Sequence, residues 1–380
     1  MSSPTTPVRV GRTFRIFGTP PERTPRRTRR QLALDTLDLP ERSPSPHIEL
    51  PDLSSSHAVF HARQTILFGN TALVYACSEL MAKILSHCSI ATIVSFSHVD
   101  ITAREHAQAA IRTRITRVIR RFLNAVEREA FFQKLGESNA GLCGSVAMSV
   151  VTTSMIFGER ERPRDLNVIV PLGEAREWHT YLISLGYDFE EKVPIHESFH
   201  GKILTMRRFW NEEALSVTIS QTTTRSILPA LLSSTVTSQM SIITTHHLFC
   251  FYPDLTSRRI SLRGMYQPSP GTELDIMLRE LKLCESSKDL GFSCGEACPA
   301  VWRRTRDLEG VGVFDWGGYR RTTEIQADED LRAENSEAVV RRGVDMVESF
   351  ADSRIKWRLG LKCFNPRCSF NSLQSARDVL

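Results

Sequence analysis

The sequence predicts an α/β fold of the α+β kind: a mixed sheet flanked by helices, behind a disordered N-terminal tail. Three observations predict it. Apolar residues between 103 and 135 recur at three- and four-residue steps, the period of a helix with one buried face. From Leu142 onward, helical patterns interleave with short alternating strands. The first 57 residues are rich in Ser-Pro and Thr-Pro pairs and poor in long apolar runs.

The composition suits a chain that buries a core: 41% of the 380 residues are apolar and 24% are charged. Four segments are expected: a tail at 1–57, a helical layer at 58–135, an α/β core at 136–265 and a Cys-containing segment at 266–380. The tail carries "RTPRRTRR" and most of the net charge of +5, so the body is close to neutral. A basic body that would mark a nucleic-acid binder is missing; the tail and one Arg-rich helix carry what basic character there is. The tail cluster reads as a solvated segment or as a nuclear-localisation or anionic-surface patch. No apolar run follows Met1, which gives no sign of a secretory leader, and the nine cysteines are odd in number and scattered. The chain is therefore expected to be intracellular, cytoplasmic or nuclear.

Residues 61–96 read as one or two core helices. Glu79, Lys83 and His87 interrupt the apolar stretch Thr65–Phe96, whereas a membrane span needs about 20 residues with few charges. Residues 103–135 read as helix, its buried face formed by Ile111, Ile115, Val118, Ile119, Phe122 and Val126. Its other face carries Arg104, Arg112, Arg114, Arg117, Arg120, Arg121 and Arg128, a basic stripe that reads first as solvated, or as lying against the acid-rich stretch 324–352.

Gly144–Ile156 fits a helix opened by Gly-Ser. "DLNVIVP" reads as a strand with Leu166, Val168 and Val170 on one face and Asp165, Asn167 and Ile169 on the other. "EAREWHTYLISLGY" reads as a helix buried through Ala175, Trp178, Leu182 and Leu185, with Gly186 as its stop. "KILTMRRFW" and "LSVTISQ" read as an antiparallel pair joined at Asn211-Glu212-Glu213.

Gly-Ser at a helix start offers free backbone N–H groups and a small hydroxyl, a seat for phosphate. A following strand presents carboxylates on alternate residues, which can hold divalent cations against a triphosphate. This order of elements, from about Ala110 to Arg259, resembles the nucleotidyltransferase fold. The "GLCGSVAMSVV" and "RPRDLNVIVP" stretches carry the likeness, and "FYPDLTSRR" and "CPAVWRRTR" are similar to a set of uncharacterised fungal (mushroom-type) proteins. The resemblance implies a nucleotide site at Gly144, Ser145 and Asp165, with Mg²⁺ or Mn²⁺ as the accompanying ion. The active pattern is incomplete here. Its Asp-x-Asp is Asp165-Leu166-Asn167, its third acid would fall where Ser216 and Thr218 stand, and an inserted "GERERPR" lengthens the gap after Ser145. Glu159 or Glu161 of that insert are poor substitutes. The expectation is a catalytically degenerate scaffold, not an enzyme, that binds a nucleotide or a protein partner. An active metal-dependent nucleotidyltransferase and a zinc-stapled interaction protein are the alternatives.

Cys294-x3-Cys298 and Cys363-x4-Cys368 have the spacing of zinc-ligand pairs, with Asn365-Pro366 as a turn inside the second and Cys284 as a spare ligand. Two readings are open: a closed structural zinc site, or separate reduced thiols. "HESFH" spells a His-Glu-x-x-His motif, but Pro194 and Gly201 leave no room for the helix it needs, so a loop is expected. His246 and His247 point apart in either secondary structure and form no metal pair. Trp302, Phe314 and Trp316 among Arg303, Arg304 and Arg306 read as packing, with Arg stems over rings, in preference to base stacking.

Overall fold

The computed structural model describes residues 71–152, 163–264, 281–317 and 346–371. The expectations for the tail 1–57, for Glu159 and Glu161 and for most of 324–352 fall outside these residues. Two units are distinguished, divided after Met81. Of the smaller unit, the described part is residues 71–81, helical at 71–76 and again from Ser78.

In the larger unit, helices α1 (Ile90–Ser97), α2 (Ile101–Ile119) and α3 (Ala125–Glu137) precede the first strand. Each starts where a short polar side chain can accept from its first-turn N–H groups. Ser89 caps α1, Asp100 caps α2 through Ala103 N–H at 2.7 Å, and Asn124 caps α3. Here the structure differs from the single helix expected over 103–135. Asn124 accepts from the N–H groups of Val126 and Glu127, and Glu127 accepts in turn from the Asn124 N–H at 2.7 Å. This reciprocal box starts a new helix and breaks the old one. Val126, expected on the buried face, is consequently 79% exposed, while Ile111, Ile115, Ile119 and Phe122 are buried.

The Arg stripe is also less uniform than its spacing suggests. Arg114 turns inward and donates to the carbonyls of Leu85 and Cys88. Burial pulls its guanidinium down to about 10, and the neighbouring Arg117 also lowers it. Arg112, Arg121 and Arg128 donate to backbone carbonyls of Trp316, Pro163 and Leu123.

The sheet follows. β1 (Gly141–Cys143) runs directly into α4 (Gly144–Thr152); then come β2 (Asp165–Val170), α5 (Ala175–Ser184) and β3 (Phe189–Lys192). β4 (Ile203–Trp210), β5 (Ser216–Thr222), β6 (Ser241–Ile243) and β7 (His247–Cys250) come next. Short strands β8 (Ile260–Leu262), β9 (Lys282–Cys284), β10 (Arg303–Arg304) and β11 (Gly312–Asp315) lead to helix α6 (Met346–Asp352) and β12 (Lys356–Trp357). Eight of them form one mixed sheet in the order β11-β7-β6-β1-β2-β5-β4-β3. Every neighbour is antiparallel except β2 and β5, which run parallel in the register Asp165↔Ser216 and Asn167↔Thr218. The chain is thus a mixed α/β protein built on a mixed sheet.

β2 alternates as its sequence requires. Leu166, Val168 and Val170 are fully buried on one face, while Ile169 on the other belongs to a core with Phe249, Tyr252 and Trp357. Just past the C-cap Leu185 of α5, Gly186 takes φ +80°, a conformation that glycine adopts without cost. The C-terminal segment folds back through β10, which pairs with β12.

Candidate functional site

β2 and β5, side by side and parallel, set the site. Asp165 heads β2, and the register brings Ser216 and Thr218 beside it. Both hydroxyls donate to one oxygen of its carboxylate, at 3.1 and 3.0 Å. On β4, Met206, Arg208 and Trp210 follow the strand period of two and share a face. Arg208 Nε donates to Thr218 Oγ1 at 3.4 Å, which brings a cation beside the same carboxylate.

The side chain of Ser145 reaches the Asp165 carbonyl at 3.4 Å, so α4 begins against the head of β2. Gly144 permits that approach. It has φ +66°, and a Cβ there would lie 3.1 Å from the Asn167 amide nitrogen. Gly144→Ala is expected to cost about 1–2 kcal/mol from its left-handed backbone alone, and to displace Asn167. Urea unfolding checks the first effect.

These groups border a cavity of about 780 Å³. Its polar wall includes Gly144, Ser145, Arg164, Asp165, Asn167, Arg208 and Ser216, and its apolar wall includes Met148, Ile169, Phe199, Ile203, Met206 and Trp210. Burial is the main influence on Asp165 and pushes its carboxyl above the ordinary value. Arg208 and the hydrogen bonds from Thr218, Ser216 and Asn167 oppose that shift without cancelling it. Cys143, at the end of β1, also faces the cavity; burial raises its thiol to about 12, which keeps it uncharged and a poor nucleophile.

The structure places Gly144, Ser145 and Asp165 at one cavity. Arg164, Arg208, Trp210 and His196 at the same cavity were not expected. The signal for Arg208 was available: in an antiparallel pair, a residue of "MRRFW" must face the polar side of "SVTISQ". His196 and His200 do not converge. "HESFH" forms one 3₁₀ turn, Glu197–Phe199, in which His196 Nδ1 accepts from the Ser198 N–H, and His196 borders the cavity while His200 does not. His246 lies in the turn between β6 and β7, and His247 begins β7.

The four expected cysteines also meet. Cys294, Cys298, Cys363 and Cys368 are buried, and their sulfurs all lie within 4.8 Å of one another. Cys284 lies on β9 and is not among them. The aromatic-arginine segment packs: the Arg303 guanidinium lies 4.6 Å from the Tyr252 ring and 5.4 Å from that of Trp357, and Arg358 covers Trp302. Among the described residues no helix is long and apolar enough to cross a membrane. The chain matches no protein-family model, no curated protein and no solved structure.

Proposed function

We propose that this chain is a catalytically degenerate, nucleotidyltransferase-like protein whose cleft binds a nucleotide or a similar phosphate-bearing ligand without metal chemistry. The observation that carries the reading is the charge of the cleft. Among the described residues that border it there is one carboxylate, Asp165, against two guanidiniums, Arg164 and Arg208. Two-metal phosphoryl or nucleotidyl transfer needs several carboxylates to hold its cations. Here the place of a second is taken by Asn167, whose neutral amide is a weak ligand for a hard dication. The neighbouring strand offers Ser216 and Thr218, which are hydrogen-bonded to Asp165.

A surplus of positive charge favours an anion instead. Guanidiniums bind phosphate through charge-assisted hydrogen bonds, and the start of α4 adds unpaired N–H groups. The apolar wall, with Phe199 and Trp210, suits a flat ring at the other end of the ligand. The parallel pairing of β2 with β5 and the seating of α4 against β2 support the likeness in fold on which the nucleotide reading rests.

The test is equilibrium titration of the full chain with a ribonucleoside triphosphate, in chelator and in Mg²⁺. Binding of similar strength in both is expected, with no incorporation of labelled triphosphate under Mg²⁺ or Mn²⁺. Incorporation that disappears in Asp165→Ala would establish the active enzyme in its place. Absence of binding under both conditions would end the nucleotide reading.

A further inference from the structure

The four buried cysteines lie well away in sequence from the cleft residues, and their geometry stands on its own. We propose that Cys294, Cys298, Cys363 and Cys368 bind one zinc ion as a closed four-thiolate structural site that fastens the C-terminal segment to the body.

The distances carry the argument. A tetrahedral zinc with Zn–S of about 2.3 Å sets its sulfurs about 3.8 Å apart. The Cys294–Cys363 and Cys298–Cys368 sulfurs are 3.7 and 3.6 Å apart, and no pair in the set exceeds 4.8 Å. A disulfide needs about 2.05 Å, so neither close pair is one. The spacing is that of opposite edges of a coordination tetrahedron. Unbonded thiols gain little from meeting four at a time in a core, whereas four thiolates around a dication gain a great deal.

Both ligand pairs sit on turns that aim their sulfurs inward. Cys294 and Cys298 flank the 3₁₀ turn Gly295–Ala297, with the Ala297 N–H donating to the Cys294 carbonyl at 3.0 Å. Cys363 and Cys368 flank Asn365-Pro366. There the Asn365 side chain accepts from the Arg367 N–H at 2.9 Å, and the Cys368 N–H donates to the Asn365 carbonyl at 3.1 Å. Asn365 is fully buried, and its amide nitrogen spans the two halves: it donates to the Phe292 carbonyl at 2.7 Å and to Cys294 Sγ at 3.2 Å. An N–H donor on a ligand sulfur spreads its negative charge and fixes its direction, as outer groups commonly do around a bound metal.

Four protein ligands fill a tetrahedron. With all four nearly inaccessible, no position is left for water or substrate, which marks a structural site. The site lies where these two segments already meet: residues 356–371 join 281–304 through the two-residue β10–β12 pair, through the Asn365 and Arg367 side chains on the Phe292 and Gly291 carbonyls, and through Gly360 N–H to the Pro299 carbonyl and Phe364 N–H to Ser287 Oγ.

The experiment is metal analysis of the full chain, expressed with added zinc and purified in reductant. About one zinc per chain is expected, with release by a thiol-reactive mercurial. Replacement by Co²⁺ should give the visible bands and near-ultraviolet sulfur-to-metal absorption of tetrahedral thiolate coordination. Cys363→Ser and Cys294→Ser should each lose most of the zinc, and Cys284→Ser should keep it. If the ligand variants do not fold, the Co²⁺ spectrum of the unaltered chain decides. The proposal falls if the purified chain holds no zinc, if it holds iron, if Cys363→Ser keeps its zinc, or if Co²⁺ fails to give the thiolate spectrum. Disulfides linking Cys294 to Cys363 and Cys298 to Cys368 in the reductant-purified chain would also overturn it.

Discussion

Trp178→Ala is expected to destabilise the chain by about 3–5 kcal/mol, the usual cost of emptying a large aromatic site. Trp178 is fully buried on α5. Its ring meets Phe131 edge-on at 5.4 Å and Tyr181 at 5.8 Å, and its indole N–H donates to Ser138 Oγ at 3.0 Å. That bond ties α5 to the end of α3, where the Ser138 hydroxyl in turn donates to the Lys134 carbonyl. Truncation would leave a cavity between two helices that flank the sheet and an acceptor without its donor. Domains are stable by only about 5–15 kcal/mol, so the loss is a large share of the total. Urea unfolding should show a lower midpoint with little change in slope. Trp178→Phe, which keeps most of the ring area but not the donor, should cost visibly less. A loss for Trp178→Ala under about 1 kcal/mol would mean that this packing contributes little to stability.

The same residue illustrates what the sequence reveals and what it hides. Trp178 and Leu182 recur at a helical step, and a buried stripe follows from that period alone. The alternation of β2, the turn at Asn211-Glu212-Glu213 and the antiparallel pairing of β4 with β5 are local patterns of the same kind, and they were legible. The break at Asn124 was legible in principle, since Asn-x-x-Glu is a helix-start signal, but an uninterrupted apolar period masked it. Arg114 was not legible. Spacing puts it on the Arg-rich face, and what turns it inward is a pair of carbonyls at Leu85 and Cys88, contributed by a different segment. The cysteines are intermediate. Spacing nominated both pairs, but 64 residues separate Cys298 from Cys363, and only the fold decides whether such pairs meet. The cleft divides in the same way. Gly144, Ser145 and Asp165 are adjacent in the order of elements, whereas Arg208 joins them through strand pairing.

Arg208 and Asp165 make the charge argument testable by sign. Arg208→Ala is expected to weaken binding of a triphosphate about 10-fold or more, the worth of one charge-assisted contact. Asp165→Asn is expected to strengthen it, because the one carboxylate in the described lining repels an anion. In a metal-dependent enzyme the same substitution would remove a metal ligand and weaken binding. The pH dependence follows from the raised carboxyl of Asp165. As pH falls through that raised value the carboxyl takes up a proton, and the affinity of the unaltered chain for an anion should rise. The ligand's own phosphate also titrates, but equally for both proteins, so the ratio of affinities between Asp165→Asn and the unaltered chain isolates the residue. That ratio should be largest at neutral pH and approach one in acid. Stability obeys the same sign. A carboxyl that holds its proton more tightly in the folded chain contributes stability fully below its ordinary value and loses it as pH rises through the folded one. Asp165→Asn should therefore gain on the unaltered chain as pH rises, by about 1.4 kcal/mol for each pKa unit of displacement. Both trends arise from one buried charge with no second carboxylate beside it among the described lining residues. A ratio that moved the opposite way in Mg²⁺ would mean that Asp165 works there as a metal ligand.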